Sequence, residues 1–323
     1  MKASTNILNA FDADRKRHKV LRGQAASFKR SLPLLLMLVP GIIYFIVFHY
    51  IPMYGVTIAF KNYRIYHNIM SAPWVGFKNF EMFFSNPMFW KLIKNTLLLN
   101  IYQLVWGFWP PILLALLLNE LSNQRFKKTV QTITYLPHFV STVVIVGMLF
   151  SFSSPSTGLF NNVVKFFGGQ PIPFMARPEW FRTMYIASDI WKGLGWGSII
   201  YLAALTNVDV ELYEAAYMDG ANRLQRVVNI TLPAIMPTIT ILLIFAIGGL
   251  MKEGAEKIII MQNNQPLIND TSEIISSYVY KQGIRESNYG YATAVGLFNS
   301  VISIILLSVA NFVSKKLSET SLW

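Results

Sequence analysis

Apolar positions along this chain gather into long uninterrupted runs, and polar positions are confined to islands between them. Five runs, Leu32 to Tyr54, Asn95 to Asn119, Thr129 to Phe152, Ile230 to Met251 and Ala292 to Val313, contain no Asp, Glu, Lys or Arg. A helix rising 1.5 Å per residue needs about 20 residues to cross a hydrocarbon core. Each run therefore predicts a membrane-spanning helix. A sixth run, Thr183 to Val208, has similar length but carries Asp189 and Lys192.

Composition agrees with a membrane chain. Apolar residues make up 53% and charged residues 14% of the 323 positions, whereas soluble domains carry about a quarter charged residues. Cysteine is absent, which excludes a disulfide framework and thiolate metal sites.

Charge distribution orients the spans, because basic residues near span ends stay in the cytoplasm. The amino-terminal tail holds Lys2, Arg15, Lys16, Arg17, Lys19, Arg22, Lys29 and Arg30. With six spans, Arg125, Lys127, Lys128, Arg223, Arg226, Lys315 and Lys316 fall on the same side. The opposite side holds Lys61, Arg64, Lys78, Lys91, Lys165, Arg177, Arg182, Lys252, Lys257, Lys281 and Arg285, spread over longer segments. Omitting the fourth span would export Lys315 and Lys316. The expected fold is thus an all-α membrane protein of six spans with both termini cytoplasmic. A basic tail (1–30) precedes the membrane domain (31–314), and a short cytoplasmic tail (315–323) follows. The first run is too long, and too far behind its basic tail, for a cleavable signal. Topological anchoring beside anionic lipid accounts for much of the net charge of +12, so no nucleic-acid role is needed.

The outer segments are long enough for short helices or a lid. Phe77 to Trp90, with Phe80, Phe83 and Phe84, reads as one interfacial helix with rings at headgroup depth. Breakers stand inside the spans at Pro40-Gly41, Pro110-Pro111, Pro137, Pro237 and Gly248-Gly249. Such breaks accompany transport pathways or ordinary kinks. The catalytic motifs are missing. His18, His49, His67 and His138 are scattered, and no H-E-x-x-H, G-x-S-x-G or G-x-x-x-x-G-K-[ST] occurs. Nucleotide-driven work would therefore require a nucleotide bound on another chain.

Between the fourth and fifth spans lies a polar island, EAAYMDGANRLQRVVNITLP, residues 214–233. Asp209 predicts an N-cap, Val210 to Met218 a short helix, and Gly220 a turn tolerant of positive φ. A second short helix is expected from Asn222 to about Ile230, with Arg223 and Arg226 on one face and Leu232-Pro233 halting it. Val210, Tyr213 and Tyr217 share a face, and Ala216 between the tyrosines admits a close neighbour. Asp209, Glu211, Glu214 and Asp219 make this helix pair acidic, which disfavours rest on anionic lipid and favours a groove on a soluble partner.

Glu214-Ala215-Ala216, then Gly220, then Ile230-Thr231-Leu232-Pro233 resembles the EAA loop of permease subunits in binding-protein-dependent ABC importers, with its spacing complete. The closing YATAVGLFNSVISIILLSVANFVSKKLSETSLW resembles permeases for complex oligo- and polysaccharides, the bacterial alginate importer among them. The resemblance implies a chain of the bacterial cytoplasmic (inner) membrane, paired with a second permease. It also implies two ATP-binding subunits that hold ATP and Mg, an extracytoplasmic solute-binding protein, and no cofactor or catalysis on this chain. Glu214, Ala215, Ala216, Gly220, Ile230, Leu232 and Pro233 take the family's coupling positions. Tyr213, Tyr217, Asp219 and Arg223 flank them.

Substrate contacts are expected from two spans. Asp189, Trp191, Lys192 and Trp196, beside Gly193, Gly195 and Gly197, read either as a sugar pathway with indole faces or as a structural ion pair. Asn100, Tyr102, Gln103 and Trp106 in the second span admit the same pathway reading or plain packing. Outer basic residues and Lys192 suit uronate chains, yet Glu179, Glu253, Glu256, Asp270, Glu273 and Glu286 share that side, so charge assigns no sugar. A different class, an ion-gradient-driven secondary transporter using Asp189 and Lys192, is the alternative. A membrane-embedded enzyme is disfavoured by the missing catalytic groups.

Overall fold

The computed structural model describes residues 31–33, 35–66, 68–251, 254–262, 268–318 and 321–322. The tail at 1–30, His67, Lys252 and Glu253 lie outside them. Among the described residues there is no strand, only an isolated antiparallel bridge between Lys61 and Trp74. The chain divides into two compact units, 1–57 and 58–323.

The first unit is built on α1, Ser31–Phe60. Pro40-Gly41 does not break it, and it widens to π geometry at Ile46–Tyr50.

In the second unit, α2 (Lys78–Phe84) precedes α3 (Phe89–Asn119). Phe77 to Trp90 is not one interfacial helix. Phe83 is fully buried, edge-on to Phe89 at 5.0 Å and to Phe298 at 5.4 Å. A turn at 85–88 then lets α3 start six residues earlier than the apolar run. Pro110-Pro111 sit at the first positions of the second half of α3, where the missing N–H groups cost little, and the helix continues.

The third apolar run is two helices. α4 (Gln124–Tyr135), extended by a 3-10 turn at Leu136–Phe139, meets α5 (Thr142–Phe152) at 99°. Pro137 ends the regular ladder, Val140 turns extended, and Ser141 caps α5 by accepting from the Val144 amide at 3.4 Å. After α6 (Leu159–Phe166), α7 runs unbroken from Pro178 to Leu205 and packs against α3 and α4.

α8 (Val210–Met218) leads into α9, Arg223–Gly248. Leu232-Pro233 does not halt the second island helix as expected. The helix widens at Val227–Thr231, where the Leu232 amide bonds to the Val227 carbonyl, and the chain passes through Pro233 into the span. A π turn just ahead of a proline moves the carbonyl that its ring would strike.

Among the described residues after α9, the chain forms short helices, one of the two forms expected for an outer segment. α10 (Ala255–Gln262), α11 (Asn269–Ser272) and α12 (Ile275–Tyr280) precede α13 (Tyr289–Ser318). Ile258 and Met261 of α10 are fully buried in one core cluster with Leu99, Val146, Phe181 and Tyr185. Asn95 of α3 donates to the carbonyls of Asp270 and Glu273 at 2.9 and 3.1 Å, and Thr96 accepts from the Ile275 amide at 3.0 Å. Lys91 pairs with Asp270, and Lys281 with the buried Glu273.

By length and composition, α1, α3, α9 and α13 can cross a membrane, and the bent α4–α5 pair makes a fifth candidate. α7 is long enough but carries Glu179, Arg182, Asp189 and Lys192.

Candidate functional site

The island folds from local capping chemistry. The Asp209 carboxylate accepts from the Glu211 amide at 2.9 Å and starts α8, with Glu211 in the favourable first turn. At the other end Gly220 has φ +76°, the Ala221 amide donates to the Ala216 carbonyl at 2.9 Å, and the Gly220 amide donates to Tyr217 at 3.1 Å. This is a complete Schellman cap, and it requires a residue comfortable at positive φ. The next helix opens with a reciprocal capping box: Asn222 Oδ1 accepts from the Gln225 amide at 2.9 Å, and Gln225 Oε1 from the Asn222 amide at 2.8 Å.

No residue of α8 is buried. Tyr217 and Met218 are 70% and 84% exposed, with Val210, Leu212 and Leu224 also exposed. Glu214, Ala215, Asp219, Gly220, Arg223 and Pro233 are solvent-facing, whereas Ala216, Ile230 and Leu232 are half-buried. No ion pair of Glu214 or Asp219 occurs among the described residues. An unpartnered apolar knob ringed by carboxylates is the result. Tyr213 is half-buried, and its hydroxyl lies 3.0 Å from that of Thr231, a fully buried residue of the π turn.

The pathway candidates separate by helix phase. Asn100 and Gln103 share a face of α3 with Leu104 and Gly107. Together with Phe108, with Ala246 of α9, and with Gly249 and Leu250 just past its end, they line a cleft of about 280 Å³. Asn100 is buried and donates to the Thr96 carbonyl, while Gln103 Oε1 is buried with no donor among the described residues. Tyr102 and Trp106 point to a different, exposed face.

On α7 the expected pairing of Asp189 with Lys192 is replaced. Lys257 Nζ of α10 lies 2.5 Å from Asp189 Oδ1, donates to the Tyr185 carbonyl at 2.8 Å and sits 4.0 Å over the Tyr185 ring. Lys257 is buried, so a residue expected in an outer loop is part of the bundle. Trp196 has one indole face covered by the His138 ring, parallel at 4.4 Å, and Phe139 at its edge. Trp191 is exposed. Gly195 faces the Thr134 carbonyl and Gly197 faces Pro111, whereas Gly193 faces open space. The α3 and α7 candidates thus form two groups, and only Asn100 and Gln103 reach the cleft. Lys257 and Thr231 escaped the sequence reading. The one hint for Lys257 was its place against the apolar Ile258–Met261 run, and for Thr231 its place inside the Ile-Thr-Leu-Pro closure.

Residues 111–319 match the family described as binding-protein-dependent transport system inner membrane component. The chain belongs to this family. Protein LplB of Bacillus subtilis is 45% identical over 298 residues, covering 92% of this chain and 93% of that one. The polygalacturonan/rhamnogalacturonan transport system permease protein YteP of the same organism is 45% identical over 290 residues, 90% of each. Among solved structures, a chain of a bacterial ABC transporter involved in the import of the acidic polysaccharide alginate is similar, at 43% identity and TM-score 0.83. That match covers 90% of this chain and 98% of the other. A chain of the alginate transporter in complex with alginate pentasaccharide-bound periplasmic protein matches at 42% identity and TM-score 0.83, over 92% and 98%. As a member of this permease family the chain is an integral membrane transport component, and an ion-gradient-driven transporter is not favoured.

Proposed function

We propose that this permease forms half of the path of an ATP-driven importer for acidic oligo- or polysaccharides, uronate chains in particular. The observation that carries the reading is likeness over nine-tenths of the chain to the polygalacturonan/rhamnogalacturonan and alginate permeases. In this reading α1, α3, the α4–α5 pair, α7, α9 and α13 are six spans of a membrane domain over 31–314, in the bacterial cytoplasmic membrane with both ends cytoplasmic. At 28 residues α7 is about 42 Å long. The Lys257 ammonium against Asp189 lowers the cost of the carboxylate there.

The partners are a second permease, two ATP-binding subunits that carry ATP and Mg, and an extracytoplasmic solute-binding protein. Surrounding lipid and the sugar chain complete the set, without nucleic acid. α8 seats in a cleft of one ATPase, with Tyr213, Glu214, Ala215, Ala216, Tyr217, Asp219, Gly220 and Arg223 forming the contact and Ile230, Leu232 and Pro233 leading it into α9. ATP shifts the balance between inward-open and outward-open packings only as far as its contacts differ between them, and α8 is where the difference is felt. In the cleft, Gln103 Oε1 is an acceptor that a sugar hydroxyl satisfies.

The test is assembly and stimulation. Co-expressed with the second permease and ATPase, the chain is expected to purify as a complex whose ATPase rises with binding protein loaded with oligogalacturonate or alginate oligosaccharide. Equal stimulation with a neutral maltooligosaccharide overturns the acidic class. No association with an ATPase overturns the importer.

A further inference from the structure

The hydroxyl pair Tyr213–Thr231 ties α8, a helix with no buried residue, to the start of α9. No residue of α8 is buried, and its caps at Asp209 and Gly220 are internal to the loop. Among the described residues, the bond from Tyr213 Oη to Thr231 Oγ1 at 3.0 Å is the side-chain hydrogen bond from α8 to another helix. Its far end is rigid, because Thr231 is fully buried and its hydroxyl also reaches the Arg226 carbonyl at 3.4 Å. It lands on the last residue of the π turn at Val227–Thr231, immediately before Leu232-Pro233. A load applied to the exposed knob has two routes into α9. One is the Gly220–Asn222 turn, which bends at a glycine. The other is this bond, which bypasses the turn.

We infer that Tyr213 and Thr231 are positioning residues that transmit displacement of α8 into α9. The inference rests on the coupling reading of α8. Without the bond the loop still folds and docks, since neither cap involves it, but the turn absorbs part of the motion.

The experiment uses the full reconstituted complex and compares Tyr213→Phe, Thr231→Val and the double variant, with Thr231→Ser as the hydroxyl-retaining control. The readout is sugar taken up per ATP hydrolysed, beside the amount of ATPase retained on purification. The net worth of one hydrogen bond sets an expected loss of roughly 3- to 10-fold in that ratio. The single and double variants should be alike in this ratio, with Thr231→Ser near wild type and ATPase retention unchanged in Thr231→Val, whose side chain is buried behind the docking contact. Wild-type ratios in both single variants overturn the inference. So do multiplying losses in the double variant, which mean that the residues act separately. If the Val variant fails to assemble, Thr231→Ser decides: an assembled complex with a reduced ratio also overturns it. A wild-type complex that neither hydrolyses ATP nor takes up sugar strikes the proposed function instead.

Discussion

Lys257 Nζ stands 2.5 Å from Asp189 Oδ1 and 2.8 Å from the Tyr185 carbonyl, fastening α10 to α7 across 68 residues of chain. Both side chains are largely buried. Removing one partner leaves a charge in a poorly solvated place, whereas removing both does not. Lys257→Met is expected to destabilise the protein by about 3 kcal/mol, and Lys257→Met with Asp189→Asn to recover most of it. Thermal melts of the purified complex check this. Equal melting of the single and double variants contradicts the pairing.

Two glycines three positions from or beside the indoles of α7 should behave oppositely. A methyl at Gly195 lands on the Thr134 carbonyl group and 2.8 Å from the Tyr135 ring, while a methyl at Gly193 meets nothing within 4 Å. Gly195→Ala is expected to cost about 2 kcal/mol through overpacking. Gly193→Ala should be neutral, or gain up to about 1 kcal/mol from helix propensity. Similar melting temperatures for the two would contradict the close approach of α4 to α7.

Gly220 holds the Schellman cap at φ +76°. Alanine there costs about 1–2 kcal/mol, which lowers the docked-loop population by roughly tenfold. Asparagine tolerates the region better. Stimulated ATPase should therefore fall in the order wild type, Gly220→Asn, Gly220→Ala, with melting of the membrane core unchanged. A reversed order rejects the cap as the reason for glycine.

Tyr278 of α12 lies outside the candidate spans, where Asn86 donates to its hydroxyl at 3.0 Å and Tyr291 lies at 3.2 Å. Burial, and then the Tyr291 hydrogen bond, push its phenol well above the usual tyrosine range. The folded chain favours the neutral form, so this contribution to stability is whole below the unfolded value of about 10 and is lost as pH rises past it. Melting temperature should fall above about pH 10, and less steeply in Tyr278→Phe. Identical alkaline slopes would count against the burial.

The fold of the 214–233 island was legible because its code is local: the cap at Asp209 and the turn at Gly220 each act within a few residues, although the Asn222–Gln225 box was not anticipated. The surroundings of Asp189 were not, because its partner is remote in the chain. Lys192 stands three residues from Asp189 and suggested a pair, but the cation that reaches the carboxylate is Lys257, which only the packing of α10 brings there. The eight residues of α10 are too few for a span, and its buried face does not stand out from an outer segment. Of the prolines read as breakers, Pro137 does break its run, whereas Pro233 does not halt its helix. Pro233 is passed by a π turn, and the break at Pro137 is sharp enough to set α4 and α5 at 99°.

In the proposed importer, ATP on a partner drives uptake through the exposed knob of α8. Glu214 is solvent-facing on α8 and takes no part in its caps, so Glu214→Lys should leave stability within about 0.5 kcal/mol. The most direct measurement is uptake of labelled alginate or oligogalacturonate by proteoliposomes holding the full complex, wild type against Glu214→Lys, with and without ATP. Uptake is expected only with ATP, and is expected to be lost in the variant at unchanged melting temperature. ATP-independent uptake, or full uptake by Glu214→Lys, would contradict it.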